Sequence, residues 1–266
     1  MQPRKGSAST FLLNFRQHNQ CHSRRDFRFL PDPFRFFAYL SAGSQRWAVA
    51  AERATIAGMT SVNRIATVRI ELDRIDPPVW RRVEVPLTTT LRGLHDVIQA
   101  ALLFLDYHLF QFDVGTKCYG IPDPEWNEGP ETFDANNITL AKLVERGFLQ
   151  FSYTYDFGDN WRHSIDVETT SAADPSLSYP RFINGARRAP PEDVGGVPGF
   201  CEFLEAMASP RHPEHKRLRA WYGGPFDPGD IDVSTIMIRM EHLARRRRSL
   251  KVHAPQITPN DASHRQ

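Results

Sequence analysis

The pattern that most constrains the fold lies in residues 148–168, where apolar side chains occupy alternate positions on both sides of the segment Gly158-Asp159-Asn160. Such alternation places one face of each strand against a core, and the Gly-Asp-Asn segment is typical of a hairpin turn. This face contains Phe151, Tyr153, Tyr155 and Phe157 before the turn, and Trp161, His163, Ile165 and Val167 after it. The sequence therefore predicts an antiparallel hairpin with a buried aromatic face.

Similar patterns predict the other elements. Strand pairs are predicted over 65–75 with 79–85, and over 108–115 with 117–121. Helices are predicted over 91–104, after 139, near 198–208, near 213–222 and after 232, and a long loop rich in Pro and Gly over 173–199. Paired strands followed by helices in a row favour an α+β fold in a single domain, with an antiparallel sheet of hairpins packed against several helices.

Charge divides the chain into three parts. Residues 1–58 have a net charge of +6 and residues 246–266 a net charge of +4, so residues 59–245 carry −8 of the total of +2. We therefore expect a basic, disordered leader at 1–58, an acidic domain at 59–245 and a basic, disordered tail at 246–266. An acidic domain binds phosphate backbones poorly, so nucleic-acid contact is expected from the basic extensions or from a local patch.

The start of the chain lacks the apolar core of a secretory signal, although an Arg-rich, acid-poor leader is also typical of an organelle transit peptide. Regular patterning begins only after Met59, and we expect residues 1–58 to be a non-native or vestigial extension. Arginines interrupt the apolar stretch that a secretory signal requires, and no run of 18 apolar residues occurs. Cys21, Cys118 and Cys201 are far apart and outside any Cys-x-x-Cys spacing. These features predict a cytoplasmic protein without a membrane span, a disulfide framework or a cysteine zinc site.

Four short segments carry a family resemblance. They are Pro77-Pro78-Val79-Trp80-Arg81-Arg82, then Tyr155-Asp156-Phe157-Gly158-Asp159-Asn160-Trp161, then Pro190-Pro191-Glu192-Asp193-Val194-Gly195-Gly196, and finally His212-Pro213-Glu214-His215 with Phe226-Asp227-Pro228 beyond it. In this order and at these intervals, over about 62–240, the chain resembles the plasmid pRiA4b Orf3-like family. The resemblance implies an α+β fold and an association with plasmids and mobile elements, in a family largely of unknown function.

Some members of that family are labelled passenger proteins of insertion elements and carry a resolvase-type name, which the residues of this chain do not support. A tyrosine recombinase needs a tyrosine downstream of its His-x-x-Arg segment, whereas the last tyrosine here, Tyr222, precedes His242. The chain also departs from the family pattern. It has His108-Leu109-Phe110 where His-Leu-His is common, and it has Phe182, Ala189 and Val194 where cysteines are common. A metal site built from those groups would be incomplete here.

Six polar residues form the candidate site, namely His108, Asp156, Asp159, His163, Glu192 and Asp193. Imidazole and carboxylate groups together can ligate a divalent metal, and the metal can activate water for hydrolysis of a phosphodiester or similar bond. Convergence of both histidines with at least two of the carboxylates in a cleft would favour a metal-dependent hydrolase or nuclease. Scatter of these groups would favour a binding protein.

The same residues also have structural interpretations. A three-residue turn would place Asp156 opposite Arg162 as an exposed cross-strand pair. Asp159 would then hydrogen-bond the backbone of the turn, and His163 would be a core histidine beside Trp161. The loop that carries the other two carboxylates is held in one shape by its prolines and glycines, either for binding or as a cover over the sheet.

The sequence favours a non-catalytic accessory or binding protein associated with plasmids or mobile elements, with a metal-dependent hydrolase or nuclease as the alternative. No cofactor is predicted, because the chain contains no Walker loop, dinucleotide fingerprint, nucleophile elbow or zincin helix. No partner is specified beyond non-specific contact with DNA. The candidate residues for that contact are Arg245, Arg246, Arg247 and Arg248.

Overall fold

The computed structural model of the protein describes residues 63–123 and 131–252. The predicted leader over 1–58 and residues 253–266 of the predicted tail lie outside the described residues. The strands are β1 (Arg64–Leu72), β2 (Trp80–Pro86), β3 (Phe110–Val114), β4 (Lys117–Gly120), β5 (Thr132–Asp134), β6 (Gln150–Tyr155), β7 (Trp161–Ala172) and β8 (Arg181–Ala186). The α-helices are α1 (Leu91–Leu102), α2 (Leu140–Glu145), α3 (Gly196–Ala208), α4 (His215–Tyr222) and α5 (Val233–Val252).

These strands form one sheet in the order β5-β4-β3-β6-β7-β1-β2-β8. All neighbouring strands are antiparallel except β4 and β5, which pair in parallel with Cys118 opposite Thr132. The predicted α+β class is confirmed, as are the three hairpins. The sheet is mixed because the short edge strand β5, which the sequence patterns do not predict, runs parallel to β4.

One face of the sheet is buried, as the alternation predicted. On β1, Val68 and Ile70 are fully buried whereas Arg69 and Glu71 point to the opposite face. On the β6–β7 hairpin, the fully buried side chains are Tyr153, Tyr155, Trp161 and His163. The helices cover this face, and α1 begins where Thr90 accepts a hydrogen bond from the backbone N–H of Gly93, at 3.1 Å.

The turn between β6 and β7 is longer than the sequence indicated. Thr154 pairs with Arg162 and Tyr155 pairs with Trp161, so the turn contains the five residues 156–160. Asp156 therefore does not lie opposite Arg162. Its φ of 55° takes the chain out of the strand, and Phe157, which was predicted on the buried face, is 54% exposed. The three-residue turn was wrong because Asp156 itself begins the turn.

The predicted loop over 173–199 contains a strand, β8, that the sequence analysis missed. It pairs with β2, with Trp80 opposite Ala186 and Arg81 opposite Gly185. Its side chains are mostly half-buried and show no clean alternation, so the pattern carried no strand signal. A Cβ atom at Gly185 would lie 2.6 Å from the carbonyl oxygen of Trp80, so this close approach of β8 to β2 requires glycine.

The C-terminal helix extends beyond the boundary that the charge pattern gave. The α5 helix continues to Val252, so residues 246–252 of the predicted disordered tail are helical. Arg247 donates hydrogen bonds to the hydroxyl groups of Thr88 and Thr89, and Arg248 donates to the hydroxyl of Ser178. These contacts attach the basic end of α5 to the domain. Over the described ranges, no helix combines the length and the apolar character needed to cross a membrane.

Candidate functional site

His108 lies in the segment between α1 and β3, and two hydrogen bonds fix the backbone just before the histidine. The backbone N–H of Leu105 donates to Glu192 Oε1 at 2.7 Å, and the backbone N–H of Tyr107 donates to the hydroxyl oxygen of Tyr155 at 3.0 Å. The imidazole packs edge-on against the Tyr155 ring, with the ring centroids 5.8 Å apart. These contacts hold the imidazole near the end of β6.

Asp156 is placed by the turn that it begins. Its Oδ1 atom accepts hydrogen bonds from the backbone N–H groups of Gly158 and Asp159, at 2.9 and 3.3 Å. Its own backbone N–H donates to the carbonyl of Leu109, the residue after His108. The residue is 6% exposed. Because Oδ1 is used by the turn, Oδ2 is left to face His108.

Glu192 and Asp193 approach from the opposite side, on the loop that follows β8. Glu192 is anchored by one oxygen, since Oε1 accepts from the Leu105 backbone and from the Tyr155 hydroxyl, the latter at 3.1 Å. Burial, followed by the charge of Glu192, raises the pKa of Tyr155, so this hydroxyl keeps its proton. The backbone of Asp193 has a φ of 56°. The Asp193 side chain is 68% exposed, so the site is open to solvent on that side.

The side chains of His108, Asp156 and Asp193 converge on one point, and Glu192 lies at the edge of this group. The Nε2 atom of His108 lies 3.3 Å from Asp193 Oδ1, 3.6 Å from Asp156 Oδ2 and 3.9 Å from Glu192 Oε2. Ligand atoms of His108, Asp156 and Asp193 all lie within 4.8 Å of one another. Metal–ligand bonds of about 2.0–2.2 Å place neighbouring ligands roughly 3.0–3.6 Å apart. The separations of His108 from Asp193 and Asp156 match this range, whereas the separation from Glu192 is longer.

Two atoms of this cluster lack the partners that burial requires. Nε2 of His108 and Oε2 of Glu192 are both buried, and neither has a hydrogen-bond partner among the residues that the structure describes. Buried polar atoms are nearly always hydrogen-bonded because burial without a partner costs about 1–3 kcal/mol. A cation placed between the imidazole nitrogen and the carboxylate oxygens would satisfy both atoms.

A buried arginine fixes the backbones that lead to the site. Arg81 is 1% exposed, and its guanidinium donates to the carbonyl of Ala101 near the end of α1, at 2.9 Å. It also donates to the carbonyls of Ala186 and Arg187 at the end of β8, at 3.0 and 2.8 Å. Burial lowers the pKa of Arg81 to about 10. One side chain therefore ties the segment before His108 to the loop before Glu192.

The other two predicted site residues have different positions. Asp159 does not face the cluster, because its Oδ2 atom accepts from the backbone N–H of Gly195 at 3.1 Å and so joins the turn to the loop of Glu192. A Cβ atom at Gly196, whose φ is 65°, would lie 2.6 Å from the Asp159 carbonyl oxygen. His163 is fully buried in the core, with Nδ1 3.3 Å from the carbonyl oxygen of Tyr153. It contributes no atom to the cluster.

Sequence comparison places the chain in a family. The family model described as "Plasmid pRiA4b ORF-3-like protein" matches residues 64–235, which is more than half of the chain. The chain belongs to the plasmid pRiA4b ORF-3-like family. Three of the segments that carried the resemblance meet at this site, since they supply Arg81, Asp156 with Asp159, and Glu192 with Asp193.

Two similar proteins extend the comparison. "Uncharacterized protein y4hQ" of Sinorhizobium fredii (strain NBRC 101917 / NGR234) is 38% identical over 185 residues, which cover 69% of this chain and 94% of that protein. The crystal structure of a protein of unknown function, MM3350 from Methanosarcina mazei Go1, has a TM-score of 0.60 and 31% identity. That match covers 65% of this chain and 96% of the other. The solved structure supports the fold, and neither protein's name states an activity.

The residues that sequence reasoning missed are those that position the ligands. Tyr155 was assigned only to the aromatic face, although its hydroxyl binds Glu192 and the backbone before His108. Arg81 appeared only as a motif residue, because a basic residue on a strand gives no sign of four carbonyl partners. The position of Tyr155 on the buried face of a strand, directly before the first acid of the turn, was the available indication that its hydroxyl would contact the site.

Proposed function

We propose that this protein binds a divalent metal cation through His108, Asp156, Glu192 and Asp193, and that it acts as a cytoplasmic, metal-dependent member of a plasmid-associated family. The observation that supports this most is the pair of buried, unpartnered atoms, His108 Nε2 and Glu192 Oε2, that face each other across the cluster. Three carboxylates around one imidazole also carry excess negative charge, which a divalent cation would offset.

The donor set limits the choice of metal. One imidazole nitrogen with several carboxylate oxygens suits Mn²⁺, Fe²⁺ or Zn²⁺, whereas Cu⁺ prefers sulfur ligands and Ca²⁺ prefers oxygen alone. The two cysteines in the described ranges, Cys118 and Cys201, do not belong to the cluster. We therefore expect Mn²⁺ and Zn²⁺ to bind more tightly than Ca²⁺ or Mg²⁺.

Hydrolysis is a second candidate function, favoured by the open side of the cluster. A catalytic metal site keeps a position free for water, and the exposed Asp193 carboxylate marks the side from which water could enter. A bound metal would supply an acidified water there.

Metal binding is tested by calorimetric titration of metal-free protein with MnCl₂ and ZnCl₂. The variants Glu192→Gln and His108→Ala should each lose at least about tenfold in affinity, because each removes a ligand. In Glu192→Gln the amide oxygen still accepts from the Leu105 backbone and the Tyr155 hydroxyl, so the loop keeps its anchor. Hydrolysis is tested on activated phosphodiester and carboxylic ester substrates with each metal.

Two variants provide matched controls. Asp159→Asn removes a carboxylate from the same turn but retains an acceptor for Gly195, and His242→Ala removes an exposed histidine of α5. Both should bind metal within about twofold of the parent protein, because neither residue faces the cluster. Loss of metal binding in the controls equal to that in Glu192→Gln and His108→Ala would contradict the proposed ligands. Metal binding with no hydrolysis by any form would leave the protein a metal-binding factor without this activity.

A further inference from the structure

A second polar site lies away from the metal cluster, where the start of α1 meets the C-terminal part of α5. A cavity of about 510 Å³ opens there between the two helices. The polar side chains that matter for its chemistry are Thr88, Thr89, Arg92, Asn136, Arg246 and Arg247. Three guanidinium groups and several neutral hydrogen-bonding groups therefore share one cavity in a domain whose overall charge is negative.

Arg247 is half-buried in this cavity and has no acidic partner. Its guanidinium donates to the hydroxyl groups of Thr88 and Thr89, the former contact being the shorter. Within the described part of the chain, no carboxylate oxygen forms an ion pair with Arg247. Burial lowers its pKa, which means that the charged guanidinium is held there at a cost. A half-buried cation hydrogen-bonded only to neutral hydroxyls is a place where an anion would be stabilised.

The other charged groups of the cavity leave a net positive charge. Arg92 forms an ion pair with Asp96 at 3.4 Å, so these two groups largely neutralise each other. Arg246 is exposed at the cavity and, like Arg247, forms no ion pair with the described carboxylates. Arg92 also pairs with Asp106 at 3.2 Å, and Asp96 interacts with Arg246 as well as with Arg92. Arg246 and Arg247 therefore give the cavity a net positive charge that these carboxylates offset only in part. The amino-terminal end of α1, capped by Thr90, adds the positive end of a 12-residue helix dipole.

The run Arg245–Arg248 thus contains two kinds of residue. Arg245 pairs with Glu241 at 2.8 Å on the surface of α5, and Arg248 contacts the hydroxyl of Ser178. The two central arginines instead line the cavity. Replacing Arg245 distinguishes an effect of overall charge from binding in the cavity. The replacement changes the charge of the helix but leaves the lining of the cavity unchanged.

We propose that this cavity binds a phosphate group, held by the guanidinium groups of Arg246 and Arg247 with hydrogen bonds from the surrounding threonine hydroxyls. Two guanidinium groups and neutral donors match the charge and the acceptor oxygens of a phosphate. The phosphate could belong to a small phosphorylated compound or to a nucleic-acid backbone, and both present the same oxygen atoms. This site is independent of the proposed metal cluster.

The test is titration of the full chain with inorganic pyrophosphate in the presence of EDTA, so that the metal cluster does not contribute. We expect binding that falls at least about tenfold in the double variant Arg246→Gln/Arg247→Gln. The matched control is Arg217→Gln/Arg245→Gln, which also removes two positive charges. Arg217 and Arg245 pair with Glu214 and Glu241 on the helix surfaces, so the control should change affinity less than about twofold.

A single variant serves as a control for misfolding of the double variant. Arg246→Gln removes an exposed side chain without an ion pair, so its thermal midpoint should equal that of the parent, and its affinity should fall at least about threefold. Absence of pyrophosphate binding by the parent protein would overturn the proposal, and so would an equal loss of affinity in the control double variant.

A second titration, with a duplex DNA at several salt concentrations, distinguishes the two sources of phosphate. If DNA binding requires Arg246 and Arg247 as pyrophosphate binding does, and weakens steeply with salt, the cavity receives a backbone phosphate. If pyrophosphate binding requires them and DNA binding does not, the ligand is a small phosphorylated compound. Either pattern supports a phosphate site, and insensitivity of both ligands to the two arginines contradicts it.

Discussion

The Nε2 atom of His108 and the Oε2 atom of Glu192 lie 3.9 Å apart, and both are buried without a hydrogen-bond partner in the described structure. The two residues come from segments 84 positions apart that Arg81 and Tyr155 hold together. This separation is too long for a hydrogen bond and leaves room for a cation between the two atoms. This relationship carries the proposed function.

Arg81→Met should destabilise the domain and weaken metal binding together. The substitution leaves four carbonyl groups without their donor in a buried setting, which we expect to cost on the order of 3 kcal/mol in the free energy of unfolding. The neighbouring Arg82→Met is the control, because Arg82 forms a surface pair with Glu168 worth at most about 1 kcal/mol. Urea unfolding and metal titration of both variants check this, and equal costs would refute the positioning role of Arg81.

The two tryptophans of the motif segments should differ in their contribution to stability. Trp161 is fully buried and packs edge-on against Phe200, so Trp161→Ala should cost about 3–5 kcal/mol. Trp80 is half-buried on the other face of the sheet, with the Arg69 guanidinium 4.2 Å from its ring centroid. Trp80→Ala should therefore cost only about 1 kcal/mol. Chemical denaturation of the two variants measures these losses in the free energy of unfolding. An equal loss in Trp80→Ala and Trp161→Ala would contradict the prediction.

Stability should decrease at acidic pH because of His163. Burial lowers the pKa of His163 to about 4, whereas in the unfolded chain it is 6.5. Between these values the unfolded state binds more protons than the folded state, so the free energy of unfolding falls as the pH falls from 6.5 toward 4. The expected loss for this residue is about 2 kcal/mol between about pH 7 and about pH 5. The pKa of buried His95 is lowered in the same direction, also by burial.

The variant His163→Gln isolates this effect. Glutamine can still donate to the carbonyl of Tyr153 but does not titrate, so the variant should lose less stability between about pH 7 and about pH 5 than the parent does. Urea unfolding of both proteins at each pH gives the comparison. Identical pH dependence of the two proteins would show that His163 is not the titrating group.

Most of the fold could be predicted because its signals are local. Alternation identified β1, β2, β6 and β7, and Thr90 and Thr139 marked the starts of α1 and α2. What failed depends on contacts between distant segments. Strand β8 forms at the sheet edge through pairing with β2, and the half-buried residues of β8 show no alternation from which a strand could be predicted.

The candidate site was predicted only in part, for a related reason. Sequence reasoning named all four clustered residues, but it also included His163, since a histidine on an aromatic strand has the same identity whether it binds a metal or packs in a core. The structure separates the cases by register, because His163 lies opposite Tyr153 on the buried face, away from the strand end. Positive φ at Asp156 and Asp193, which directs both side chains toward His108, has no sequence signal beyond the tolerance of aspartate for that conformation.

The most direct test of the metal site is anomalous diffraction from crystals of the full chain soaked in MnCl₂ or ZnCl₂. We predict a strong peak about 2.0–2.3 Å from Nε2 of His108, within bonding distance of oxygens from Asp156, Glu192 and Asp193, and no such peak in Glu192→Gln/His108→Ala crystals. Absence of the peak from parent crystals, with His108 Nε2 hydrogen-bonded directly to a carboxylate, would contradict the proposal and identify the cluster as a histidine hydrogen-bonded to acids.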